Sequence, residues 1–103
     1  MAGRIEAYVH SDSVVQNKGG CLVEVQCQTD FAARTDAFIA FARKVAQLMF
    51  GYGAVRWQEL TEQCPALETD RCQLELDLKE RVQVGRVVIL RLGDGKEQPS
   101  DEK

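Results

Sequence analysis

The stretch Gly20-Cys21-Leu22-Val23-Glu24-Val25-Gln26-Cys27-Gln28-Thr29-Asp30-Phe31-Ala32-Ala33-Arg34-Thr35 decides the fold, because the chain changes period inside it. Up to Cys27 the side chains alternate. Cys21, Val23, Val25 and Cys27 share one face, and Glu24 and Gln26 share the other, as in a half-buried strand. Beyond Thr35 the spacing becomes helical: Phe38, Phe41, Ala42, Val45, Ala46 and Met49 follow i, i+3, i+4, i+7. Thr35-Asp36 offers an N-cap for that helix, and Gly51 with Gly53 offers its end. Between strand and helix stands Thr29-Asp30-Phe31, where Thr29 or Asp30 is able to cap an earlier helical turn.

Working backwards, Arg4 to His10 also alternates, with Ile5, Ala7 and Val9 on one face and Glu6, Tyr8 and His10 on the other. The intervening Ser11 to Gly19 is mostly polar, so the two strands read as an antiparallel hairpin with a long loop. Working forwards, a short helical piece over about 54–63 carries Val55, Trp57 and Leu60, and Cys64-Pro65 breaks it. Residues 66–81 fit two periods. Cys72, Leu74, Leu76 and Leu78 alternate with polar residues, while Leu67, Leu74 and Leu78 line a helical stripe. No β-branched or aromatic side chain occurs over 70–81, and Glu75/Lys79 and Asp77/Arg81 are i, i+4 pairs, so this segment is read as helix. Val82 to Leu92 is rich in Val and Ile and reads as a strand, with Gly85 marking a bulge. From Gly93 onward Gly, Pro, Ser and charge predict a disordered acidic tail. The order is β-β-α-α-α-β. It predicts an α+β domain in which a three-stranded antiparallel sheet packs its apolar face on the helix that begins near residue 35.

Composition narrows the function. The chain has 103 residues, enough for one core. Its 13 Lys+Arg against 16 Asp+Glu give a net charge of −3, which argues against direct nucleic-acid binding. No apolar run approaches the length of a membrane span, and the N-terminus carries no signal-peptide pattern, so a cytoplasmic protein without a membrane partner is expected. The four cysteines, Cys21, Cys27, Cys64 and Cys72, include no C-x-x-C pair, and His10 is the single histidine. No metal site, cofactor or disulfide is expected, and the thiols are read as reduced and largely buried. There is no phosphate-cradling glycine loop, no G-x-S-x-G and no H-E-x-x-H. The residues describe a small domain more suited to binding than to catalysis. At the corner, a large aromatic behind a polar pair has an ordinary explanation, which is packing at a helix start.

The run Val23 to Arg34 resembles the translation elongation factor Ts family, which reads V-E-V-N-C-[EQ]-T-D-F-V-A-[RK] at the same strand-to-helix corner. Ile5 to His10 is similar to that family's first core strand, and Glu80 to Val88 to its E-N-I-x-V-R-R-[FV]-V strand. The likeness runs in order over most of residues 4–92, so 1–92 is read as a core-like domain and 93–103 as the tail. Ala32 stands where the family has Val, Thr35 where it has Asn or Asp, and Gly85 where it has Arg; the loop 11–19 is longer than usual. The stretch resembles the N-terminal half of the family's core. Neither the family's three-helix domain, nor its second core subdomain, nor its coiled coil has a counterpart in it.

The resemblance implies a non-enzymatic partner for the GTPase elongation factor Tu. In that reading Asp30 and Phe31 project into its nucleotide-binding domain, Phe31 wedges between helices, and the motif disturbs the Mg²⁺ site so that GDP is released. Thr29 and Ala32 complete the motif, and Arg34 positions it or contacts the partner's edge. The alternative is an interaction module (decoy, adaptor or assembly subunit) that binds the GTPase without efficient exchange. Some family members pair through their core domains, so a homodimer through the exposed last strand is a further expectation.

Overall fold

The computed structural model describes residues 2–93. Its elements are β1 (Ala2–His10), β2 (Gly19–Cys27), α1 (Asp30–Ala33), α2 (Asp36–Tyr52), α3 (Trp57–Gln63), α4 (Ala66–Leu78) and β3 (Gln83–Arg91). This is the expected α+β arrangement, with the helical turn at Asp30 present as a separate four-residue α1. The antiparallel sheet runs β1-β2-β3, so β2 is central and the other two strands are edges. Apart from Gly93, the tail expected over 93–103 lies outside the described residues.

α2 covers one face of the sheet. Thr35 caps it by accepting the Phe38 N–H at 3.2 Å. Gly53 ends it at φ 68, where its N–H bonds the Phe50 carbonyl and the Ala54 N–H bonds that of Met49. This is a Schellman closure, and it needs the left-handed conformation glycine adopts freely. The predicted stripe is buried: Phe38, Ala42, Val45, Ala46 and Met49 are fully enclosed, packed with Val23 and Val25 of β2 and with Leu60, Leu67 and Val82.

β1 departs from expectation. Its apolar residues Ile5, Ala7 and Val9 face away from the helices, with Ile5 and Val9 more than half exposed, while Glu6 is buried. The cause is register. Glu6 lies opposite Val23 and Tyr8 opposite Cys21, and antiparallel partners share a face. Glu6 is tolerated there because its two oxygens pair with Arg4 Nε at 3.0 Å and with Arg43 Nε of α2 at 2.9 Å. Tyr8 and His10 join Phe50 in an aromatic group at the far end of the sheet, with Arg91 4.0 Å over the Phe50 ring.

α4 is helical as read, but it stops at Leu78, so the pairs Glu75/Lys79 and Asp77/Arg81 do not form as helical pairs. Glu75 instead pairs with Arg71 at 2.8 Å and accepts the Val82 N–H, while Asp77 accepts from Gln73. Arg71 also donates to the Val82 carbonyl at 2.9 Å, which ties α4 to the start of β3. Arg71 and Trp57 donate to Glu68 and hold its carboxyl down at about 2.

Lys79 closes the helix at φ 59, a conformation that costs a residue bearing Cβ roughly 1–2 kcal/mol. Lys79→Gly is therefore expected to stabilise the domain by about 0.5–1 kcal/mol, net of the larger entropy glycine loses on folding. Urea unfolding checks this through a higher midpoint at unchanged slope.

The bulge expected at Gly85 is present: Val23 faces Val87 and Val25 faces Val84, so Gly85 and Arg86 together oppose Glu24. A Cβ at Gly85 would lie 2.6 Å from Glu24 Oε1, which is the oxygen that accepts the Arg86 N–H. Of the cysteines, Cys21 and Cys27 are buried as expected. Cys64 is half-buried and Cys72 exposed, because α4 turns Cys72 away from its Leu67/Leu74 side. All four are free thiols, and burial pushes Cys21 up. Among the described residues no helix is long and apolar enough to cross a membrane.

Candidate functional site

The corner between β2 and α2 is built from its backbone outward. Cys27 ends β2 inside the core, and its thiol donates to the Thr29 carbonyl at 3.2 Å. Thr29 is extended, with φ −131 and ψ 151, and its hydroxyl accepts the Ala32 N–H at 3.1 Å, so it is the N-cap of α1. Ala32 and Ala33 turn inward at 2% and 5% exposure. Small side chains here let the single helical turn sit down on β1 and β2. The chain then reverses into α2, with the Thr35 hydroxyl donating to the Ala32 carbonyl at 2.8 Å.

With Ala32 and Ala33 turned inward, Asp30, Phe31 and Arg34 are left outside. Phe31 is 75% exposed, so it does not serve as a packing residue at the start of α1. The expected site residues are therefore brought together in one short loop but divide into two groups. Thr29 and Ala32 shape the corner, and Asp30, Phe31 and Arg34 are displayed by it.

A residue not assigned to the site on sequence grounds is also present. Glu80, in the turn between α4 and β3, reaches the corner from 51 residues away. Its Oε1 accepts the N–H groups of Gln28 at 2.9 Å and Thr29 at 3.0 Å, and its Oε2 accepts the Thr29 hydroxyl. The Thr29 hydroxyl, followed by the two N–H groups, holds the Glu80 carboxyl below the usual carboxylate range. Gln28 answers by accepting the Arg81 N–H at 2.9 Å. In the sequence the signal for Glu80 is its place at the head of the Glu80–Val88 likeness; no local periodicity links it to Thr29.

The described residues contain no cluster of three or more His, Cys, Asp or Glu able to hold a metal ion. The arrangement is a protruding aromatic beside a carboxylate on a short, hydrogen-bonded corner.

No protein-family model matches the chain. Over 44 residues it is 57% identical to elongation factor Ts of Rubrobacter xylanophilus, covering 43% of this chain and 20% of that protein. Longer alignments reach 32% identity over 95 residues with chloroplastic elongation factor Ts of Rhodomonas salina, covering 82% of this chain and 42% of that protein. With elongation factor Ts of Chromobacterium violaceum the identity is 34% over 94 residues, covering 91% and 29%. The chain thus spans less than half the length of these curated relatives. Partial as they are, the matches agree in one name: over the aligned stretches the chain is similar to elongation factor Ts.

Proposed function

We propose that this chain binds elongation factor Tu through the corner formed by Thr29, Asp30, Phe31, Ala32 and Arg34 and promotes release of GDP. In this reading residues 1–92 act as a core-like domain. The observation that carries it is Phe31: a large aromatic, 75% exposed, displayed beside Asp30 on a corner whose backbone is tied down. Leaving such a side chain in water forgoes the stabilisation its burial would bring, and that stabilisation is recovered when a partner covers it.

In the proposed mechanism Phe31 enters between helices of the GTPase's nucleotide-binding domain, and Asp30 with it disturbs the site holding Mg²⁺. Mg²⁺ offsets phosphate charge, so its displacement weakens GDP. The factor favours the nucleotide-free state and shifts the population towards it. By linkage, GDP weakens the factor's binding by the same factor. Release of a fluorescent GDP from elongation factor Tu, with and without the chain, tests this directly. Acceleration supports exchange. Binding without acceleration supports the second reading, a non-catalytic module (decoy, adaptor or assembly subunit).

A homodimer belongs to the same proposal. The outer face of the sheet carries Leu22, Val88 and Leu90, all about half exposed or more, at the end of the sheet opposite the corner. Of the cations near it, Lys18 is paired with Asp12, Arg86 with Glu24, and Arg91 is bonded to the Phe50 carbonyl. An apolar face whose charges are internally paired suits a second, identical face across a two-fold axis. Sedimentation equilibrium is expected to give a dimer for the native chain and a monomer for Leu90→Asp; a native chain that stays monomeric refutes the pairing.

A further inference from the structure

We infer that Glu80 is the positioning residue of the corner: it fixes the direction in which Asp30 and Phe31 are displayed, and it touches no partner itself. The inference rests on the function proposed above and adds a residue to its site.

The argument is one of hydrogen-bond accounting. At the end of β2 the N–H groups of Gln28 and Thr29 have left the sheet, and both point to the same oxygen, Glu80 Oε1. The Thr29 hydroxyl has a single proton. Because Glu80 Oε2 takes that proton, the hydroxyl's lone pairs are free to accept the Ala32 N–H and start α1. One carboxylate therefore sets two peptide planes and one side-chain rotamer, and the bond that the Arg81 N–H donates to Gln28 Oε1 fixes the carboxylate's own turn. A carboxylate accepts all three donors at once, whereas an amide would present an N–H to one of them.

Phe31 has little packing of its own, so its orientation follows the backbone that Glu80 holds. Removing Glu80 leaves the freed N–H groups of Gln28 and Thr29 at an exposed position, where water satisfies them. The domain then stays folded while the corner samples other conformations. A binding-competent corner that is only partly populated weakens apparent affinity in proportion to that fraction, with the bound state unchanged.

The experiment uses the full chain as native protein, Glu80→Ala, Glu80→Gln and Phe31→Ala. It reads amide hydrogen exchange residue by residue, and GDP release from elongation factor Tu as the concentration of the chain is raised. For Glu80→Ala, exchange at Gln28 and Thr29 is expected to rise by about tenfold or more while Val23 and Val25 stay protected. The concentration needed for half-maximal GDP release is expected to rise by about tenfold with the maximal rate retained, and Glu80→Gln is expected to fall between native and alanine. Unchanged protection at Gln28 and Thr29 overturns the inference. So does parallel loosening of Val23 and Val25, which marks a general structural role. An unchanged half-maximal concentration in Glu80→Ala, with Phe31→Ala raising it, overturns the positioning role alone. If Phe31→Ala changes nothing in GDP release, the functional reading has failed, and the exchange data on the free chain still decide whether Glu80 holds the corner.

Discussion

Under the proposed function, Phe31→Ala is expected to weaken binding to elongation factor Tu by about 2 kcal/mol or more, a loss of at least about thirtyfold in affinity, and to leave folding almost untouched. The two effects separate because the side chain is 75% exposed in the free protein. Truncating an exposed group opens no cavity and orphans no polar partner, so the change in stability is expected within about 0.5 kcal/mol. In a complex the same ring is desolvated, and an aromatic anchor at the centre of an interface carries a large share of the binding energy. Titration calorimetry against the nucleotide-free GTPase, with a thermal unfolding scan on the same samples, checks both halves. Unchanged affinity removes Phe31 from the interface, and a collapse of the melting transition shows it to be part of the scaffold.

Phe38→Ala, seven residues on, is expected to do the reverse. Phe38 is fully buried at the start of α2, enclosed in the core that α2 forms with β2. Deleting a buried phenyl ring loses its transfer free energy and leaves a cavity, together about 3–5 kcal/mol. A domain of this size has roughly 5–15 kcal/mol in all, so the variant is expected to be marginally folded at physiological temperature. The predicted result is a large drop in urea midpoint, with GTPase affinity recovered under conditions that keep the chain folded. A loss of stability below about 1 kcal/mol would mean that the core collapses around the site, contrary to its packing.

The contrast between these two phenylalanines indicates what sequence reading reaches. Phe38 announces itself through period: Phe41, Ala42, Val45, Ala46 and Met49 repeat its side of the helix, and the structure buries them together. The alternation of Cys21, Val23, Val25 and Cys27 was equally legible, since Glu24 and Gln26 on the opposite face leave a single sensible orientation. In β1 the same rule pointed the wrong way, because both faces carry large side chains and the choice was made elsewhere. Glu6 goes inside because Arg43, 37 residues later, is there to meet it, and because register with Val23 leaves no alternative. Asp30 and Phe31 were found through a motif, whereas Glu80 and Gln28 complete the corner through bonds across 51 to 53 residues that no local pattern carries. Local signals located the elements. Pairings distant in sequence set the sidedness of β1 and the completeness of the site.

The span between Thr29 and Glu80 also imposes an order of events when the chain is made. β1, β2 and the residues of the corner leave the ribosome early, but the carboxylate that aligns them arrives at residue 80, after all four helices have been synthesised. The third strand, which begins at Gln83, follows at once and completes the sheet on β2. The corner's bonds to Glu80 and the closure of the sheet thus become possible at nearly the same point of synthesis. A nascent chain that ends before Glu80 lacks the acceptor for the Gln28 and Thr29 N–H groups, so the corner gains these bonds only as the third strand is being made.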